Sequence, residues 1–69
     1  YMGMATLTAS YAMNGEQQEA EELLARIRDE FPNDLNDPRS PFLARGMPKE
    51  LIDGLMEGLR RAGLDVPPE

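Results

Sequence analysis

Residues 16–31 read EQQEAEELLARIRDEF, and the reading of this stretch decides the fold. Ala20, Leu23, Leu24, Ile27 and Phe31 stand at i, i+3, i+4, i+7 and i+11, the spacing of one face of a helix. Glu16 and Glu19 fall in the first turn, where the positive end of the helix dipole favours anions. Glu22 precedes Arg26 by four residues, the better orientation for an ion pair along a helix. Pro32 ends the element, because proline has no N–H to give to the carbonyl four residues back and biases Phe31 away from helical dihedrals. The spacing therefore predicts a helix over 16–31.

Upstream, Met4, Leu7, Thr8 and Tyr11 lie within one arc of roughly 100° if residues 3–13 are helical, with Ala5 and Ala12 on its flank. That arc is expected to face a core. Asn14-Gly15 tolerates positive φ and suits a left-handed helix end followed by a tight turn. A connection this short forces the two helices to run antiparallel.

Downstream, residues 33–47 have the composition of a connection, with Pro38 and Pro41 among Asn33, Asp34, Asn36, Asp37 and Ser40. Within it, residues 40–46 read as a Ser40 cap, Pro41 at the first helical position and a stop at Gly46, so one helical turn is expected there, pinned by Phe42 and Leu43. A last helix is expected over 48–62, with Gly63 as its left-handed end and Arg60 and Arg61 in the final turn, where cations are favoured. Its apolar arc of about 140° holds Leu51, Ile52, Leu55, Met56, Leu59 and Ala62, opposite Lys49, Asp53, Glu57 and Arg60. Leu51, Leu55 and Leu59 are expected to pack on the second helix. Gly54 and Gly58, each costing about 1 kcal/mol of helix propensity against alanine, suggest close backbone approaches. Leu64 and Val66 are expected to tuck back, and 67–69 to fray.

Three segments follow: a helical hairpin over 1–32, a proline-containing connection over 33–47, and an amphipathic helix with its tail over 48–69. Sixty-nine residues make at most one small domain with a thin core, and because Tyr1 precedes Met2 the chain is expected to be a piece of a larger protein.

The composition argues against most chemistry. The chain has no cysteine and no histidine, which removes disulfides, thiolate zinc sites, the usual general base and the commonest metal ligand. Without a histidine base, Ser10, Ser40 and the threonines are poor nucleophiles. The carboxylate pairs Glu19/Glu22 and Asp53/Glu57 lie on solvent faces, where nothing tunes their pKa. Asp34-Leu35-Asn36-Asp37 lacks the central glycine and terminal glutamate of a calcium-binding loop and reads as a turn. No catalytic residue, metal, cofactor or small-molecule substrate is expected. Thirteen acids against seven bases give a net charge of −6, which argues against direct nucleic-acid binding and against an anionic membrane surface. The acidic excess lies in residues 1–37, with eight acids and two bases, while 38–69 hold five of each. No apolar run approaches the roughly 20 residues of a membrane span, and no basic n-region of a signal peptide opens the chain, so a cytoplasmic location is expected.

The first hairpin resembles the tetratricopeptide repeat, a helix-turn-helix unit of 34 residues. The match runs through Met4, Leu7, Thr8 and Tyr11 in the first helix, Gly15 in the turn, Ala20, Leu24 and Ile27 in the second helix, and Pro32 at its end. Met4 stands where that family has tryptophan, and Thr8 where it has glycine or alanine. Residues 42–51 with Gly58-Leu59-Arg60-Arg61-Ala62-Gly63-Leu64 resemble the extreme C-terminus of bacterial class III adenylate/guanylate cyclases that carry such repeats, and of some related transcriptional regulators. The resemblance implies an all-α fold: an antiparallel repeat-like hairpin closed by a third, capping helix.

It also implies a noncatalytic module for protein–protein interaction and assembly at the end of a larger, cyclase-like signalling protein. The outward-facing residues of the first helix, Thr6, Ser10 and Met13, are the candidate interaction face. They offer no cationic clamp for a peptide carboxylate, so the expected partners are upstream repeats of the same chain or a second copy. The alternatives are a purely structural cap and a regulatory tail of a linked cyclase or transcription regulator.

Overall fold

The computed structural model describes residues 1–66. Among them are five helices and no strand: α1 (Met2–Met13), α2 (Gln17–Glu30), α3 (Pro32–Asn36), α4 (Ser40–Ala44) and α5 (Lys49–Ala62). The expected fraying of 67–69 lies outside the described residues.

α1 and α2 double back on each other across Asn14, Gly15 and Glu16. Gly15 has φ +80°, a backbone region that side chains with a Cβ avoid. The turn is closed by the Glu16 N–H donating to the Tyr11 carbonyl at 2.8 Å and the Gly15 N–H to the Ala12 carbonyl at 3.2 Å. α5 ends in the same way: Gly63 has φ +119°, Leu64 N–H donates to the Leu59 carbonyl at 3.0 Å and Gly63 N–H to the Arg60 carbonyl at 3.1 Å. These paired bonds satisfy carbonyls that a helix end leaves without partners.

At the opposite end of the hairpin the Tyr1 ring meets Phe31 edge-on, centroids 6.3 Å apart, and Phe42 at 5.9 Å. That contact places the start of α1 beside the end of α2, so the two run antiparallel. Phe42 is fully buried and closes this end of the core.

Several expectations are corrected here. Pro32 does end α2, but it also opens α3, since a proline suits the first position of a new helix. Ser40 does not cap α4; the preceding residue is Arg39, and the Ser40 hydroxyl donates instead to the Asp37 carboxylate. Arg26 does not pair with Glu22. It turns to Glu30 at 3.6 Å, while Glu22 accepts a hydrogen bond from Gln18. Leu43 does not pin α4: it is 58% exposed, and Phe42 alone carries the burial.

The larger correction concerns α1 and α5. α1, not α2, is the central helix, with α2 on one side and α5 on the other. A helix packed on two sides needs small residues there, and its buried positions are Ala5, Thr8, Ala9 and Ala12. Leu7, expected on the buried arc, is displaced to the surface at 46% exposure, and Met4 and Tyr11 are half-buried. Thr8 keeps its hydroxyl satisfied inside the core by donating to the Met4 carbonyl at 2.8 Å.

α5 accordingly lies mainly on α1 and only lightly on α2, burying Ile52, Met56, Gly58, Leu59 and Ala62. Leu51, expected to pack against α2, is 59% exposed. Gly58 is the point of close approach, because a Cβ there would lie 2.5 Å from the Ala9 Cβ; a Cβ on Gly54 would meet nothing within 4 Å. Leu64 and Val66 fold back under the core and are buried. Arg39, whose guanidinium reaches the Asp53 carboxylate at 2.8 Å, ties the start of α4 to α5. At the other end, Gln17 donates to the Arg61 carbonyl at 2.9 Å, joining the start of α2 to the end of α5.

Candidate interaction surface

α1 carries no charged side chain over its twelve residues, in a chain that is 29% charged. A helix buried all round could be so composed, but α1 has an exposed strip of Gly3, Thr6, Leu7, Ser10 and Met13. This strip offers a neighbouring helix no ion to desolvate, and depletion of charge is a mark of the core of protein interfaces.

A groove opens on each side of the strip. Between α1 and α5, Thr6, Met47, Glu50, Leu51, Gly54 and Leu55 line a depression of about 390 Å³. It exists because α1 and α5 touch at Ala9 and Gly58 and part toward Thr6 and Leu51, where Gly54 leaves the wall thin. Thr6 shares this groove with Gly54, and Ala9, further along α1, meets Gly58, one turn further along α5, so the two helices advance in the same direction. Between α1 and α2, Leu7, Tyr11, Leu23, Glu19, Glu22 and Arg26 line a second groove of about 220 Å³.

The structure thus joins residues that the sequence separates. Thr6, chosen for an outward face, sits opposite Leu51 and Leu55, chosen for the core, and all three line one groove. Ser10 and Met13 are exposed but border neither groove. Of the repeat-like positions, Thr8, Ala20, Leu24 and Ile27 are buried, Met4 and Tyr11 half-buried, Gly15 and Pro32 exposed, and Leu7 lies on the surface beside Tyr11. Leu59 is buried, and Leu55 half-buried. Sequence reasoning missed Met47 and Leu23 as groove residues. The available signal was the alanine series Ala5, Ala9 and Ala12, which marks the side of α1 that helices approach most closely and leaves Leu7 outside it.

Several ionisable groups outside the grooves have structural partners. The Arg39 hydrogen bond, with help from Lys49, holds the Asp53 carboxyl below the usual range. Hydrogen bonds from Arg61 and Arg60 do the same for Glu57, which Arg61 reaches at 3.2 Å and Arg60 at 2.7 Å. Burial raises the Tyr1 phenol to about 12, reinforced by the negative charges of Asp34 and Asp37; its hydroxyl donates to the Pro38 carbonyl at 3.2 Å. Among the described residues no three carboxylates converge as a metal site would require. Nor, among the described residues, is any helix long and apolar enough to cross a membrane.

In comparisons with known proteins, the chain matches no family model, no curated protein and no solved structure.

Proposed function

We propose that this chain is a noncatalytic helical assembly module, a terminal repeat-like unit whose α1 face packs against helices of a neighbouring repeat or of a second copy. One observation carries the reading: α1 is free of charge along its whole length and yet exposes a strip of surface beside the apolar groove formed by Met47, Leu51 and Leu55. A leucine 59% exposed at the mouth of such a groove favours association, since covering apolar surface is the main driving force for it.

The shared direction of α1 and α5 supports the repeat-like part of the reading. Arrays built by repeating one unit with a small rotation place successive first helices side by side and pointing alike, and α5 takes that place beside α1. The outer side of α5 bears Asp53 and Glu57 with their arginine partners, a surface that suits the end of an array. On the resemblance of residues 42–64, the larger protein is a cytoplasmic signalling protein of the adenylate/guanylate cyclase kind.

The test is molar mass by light scattering over a concentration series, with helicity followed by circular dichroism. The expected result is a helical dimer that dissociates on dilution, and a Leu51→Ser variant that stays monomeric with its helicity intact. A wild-type chain that remains a helical monomer at the highest concentration overturns self-assembly and leaves the cap that only closes its parent protein.

A further inference from the structure

We propose that the groove between α1 and α2 docks an amphipathic helix of a partner protein, one whose apolar face is flanked by lysine or arginine. Two antiparallel helices leave a seam into which a third helix fits by setting its ridges into their grooves. On the other side of α1 that place is taken by α5, whereas on this side the seam is open and floored by Leu7, Tyr11 and Leu23.

The charge at the rim specifies the occupant. Glu19 makes no ion pair or side-chain hydrogen bond among the described residues, and Glu22 has only the neutral amide of Gln18 at 3.3 Å. Arg26, the cation on the same rim, faces Glu30 at 3.6 Å instead of either glutamate. The two rim carboxylates are therefore left without a cation from their own chain, within the segment that holds all of the net negative charge. A partner helix with cations beside its apolar face supplies the complement, gaining both association rate and selectivity.

The same charges argue against a second copy in this seam. A symmetric dimer brings two copies of this rim together, each with Glu19, Glu22 and Arg26, so carboxylates would outnumber cations two to one in the closed seam. Self-assembly through the α1–α5 groove leaves this seam free, and the two readings stand or fall separately.

The experiment is titration calorimetry of the 69-residue chain with a synthetic helical peptide carrying leucines at i, i+4 and i+7 and lysines on either side of them. Two control peptides have glutamates in place of the lysines, or the same residues in an order that breaks the apolar face. The lysine peptide is expected to bind, and both controls about tenfold or more weakly. Glu19→Gln combined with Glu22→Gln, at two exposed positions, is expected to weaken the lysine peptide by about tenfold without changing helicity, while Leu51→Ser leaves its affinity unchanged. Equal binding of all three peptides, no binding of any, or full affinity in the double glutamine variant overturns the proposal. So does a Leu23→Ser variant that keeps its helicity but turns a wild-type dimer into a monomer, since the occupant is then a second copy.

Discussion

Ala9 and Gly58 bring α1 and α5 together backbone against backbone: a Cβ on Gly58 would lie 2.5 Å from the Cβ of Ala9, 2.7 Å from its Cα and 3.0 Å from its carbonyl oxygen. The nearest obstacle is a Cβ fixed directly to the helix backbone, and the next two are backbone atoms, none of which can swing aside as the end of a long side chain can. Gly58→Ala is therefore expected to lose about 2 kcal/mol, the cost of overpacking exceeding the roughly 1 kcal/mol gain in helix propensity. Urea denaturation checks the value, and Ala9→Gly in the same molecule should restore part of the loss by reopening the contact. An unchanged midpoint would show that the helices part without penalty.

Gly54, one turn earlier on the same helix, faces open space. With no contact to lose, Gly54→Ala should gain about 0.5–1 kcal/mol, because alanine restricts the unfolded chain and favours the helix. The two substitutions are chemically identical and opposite in sign, and thermal melts of both variants under one set of conditions separate close approach from propensity.

How far the fold was legible follows from this pair. The spacing of Ala20, Leu24 and Ile27 revealed α2, and the glycines Gly15 and Gly63 revealed where α1 and α5 end, since those signals act within one turn of the chain. Periodicity could not reveal which neighbour α5 would choose. Leu51, Leu55 and Leu59 form as good an apolar stripe as Ile52, Met56 and Leu59, and the choice is made by how closely two helices can come. Ala5, Ala9 and Ala12 let α5 lie against α1, and that contact turned Leu51 outward into a groove with Thr6. The candidate surface was half visible for the same reason: uncharged α1 residues can be read from the sequence, but the grooves beside them come from packing. α3 was missed because Pro32 gives one local signal for the end of one helix and the beginning of another.

Phe42 and Leu43 are neighbours on α4 with opposite fates, one fully buried and one largely in water. Phe42→Ala removes a ring that closes the core and touches Tyr1, and should cost about 3–5 kcal/mol, most of the stability expected of so small a chain. Leu43→Ala should stay within about 0.5 kcal/mol of the parent. Thermal unfolding by circular dichroism distinguishes them; a comparable loss in both would mean that Leu43 packs against something in solution.

Ala20 lies fully buried in α2, one residue before exposed Glu21. Ala20→Glu buries a carboxylate among apolar neighbours with no cation to meet it and should leave the chain largely unfolded. Glu21→Gln should shift stability by no more than about 0.5 kcal/mol, because the position is in solvent and the new amide oxygen still accepts from Gln17. A folded Ala20→Glu protein would place this face of α2 at the surface.

Tyr1 supplies the pH test. Its phenol is packed against Phe31 and Phe42, and burial, with Asp34 and Asp37 adding negative charge nearby, raises it to about 12. In the unfolded chain the same phenol titrates near pH 10. Between those values the unfolded state has lost the proton and the folded state keeps it, so folding takes up a proton and each rise in pH favours unfolding. The stabilisation is complete below about pH 10 and is lost as the pH climbs to about 12. The comparison with Tyr1→Phe isolates this one group. That variant gives up the hydrogen bond to the Pro38 carbonyl and should begin less stable at neutral pH. Its melting temperature should then fall less steeply than the parent's across the alkaline window. Parallel curves for the two proteins would mean that the Tyr1 phenol ionises in the folded state as freely as in water, and that the aromatic cluster at this end of the hairpin stands open to solvent.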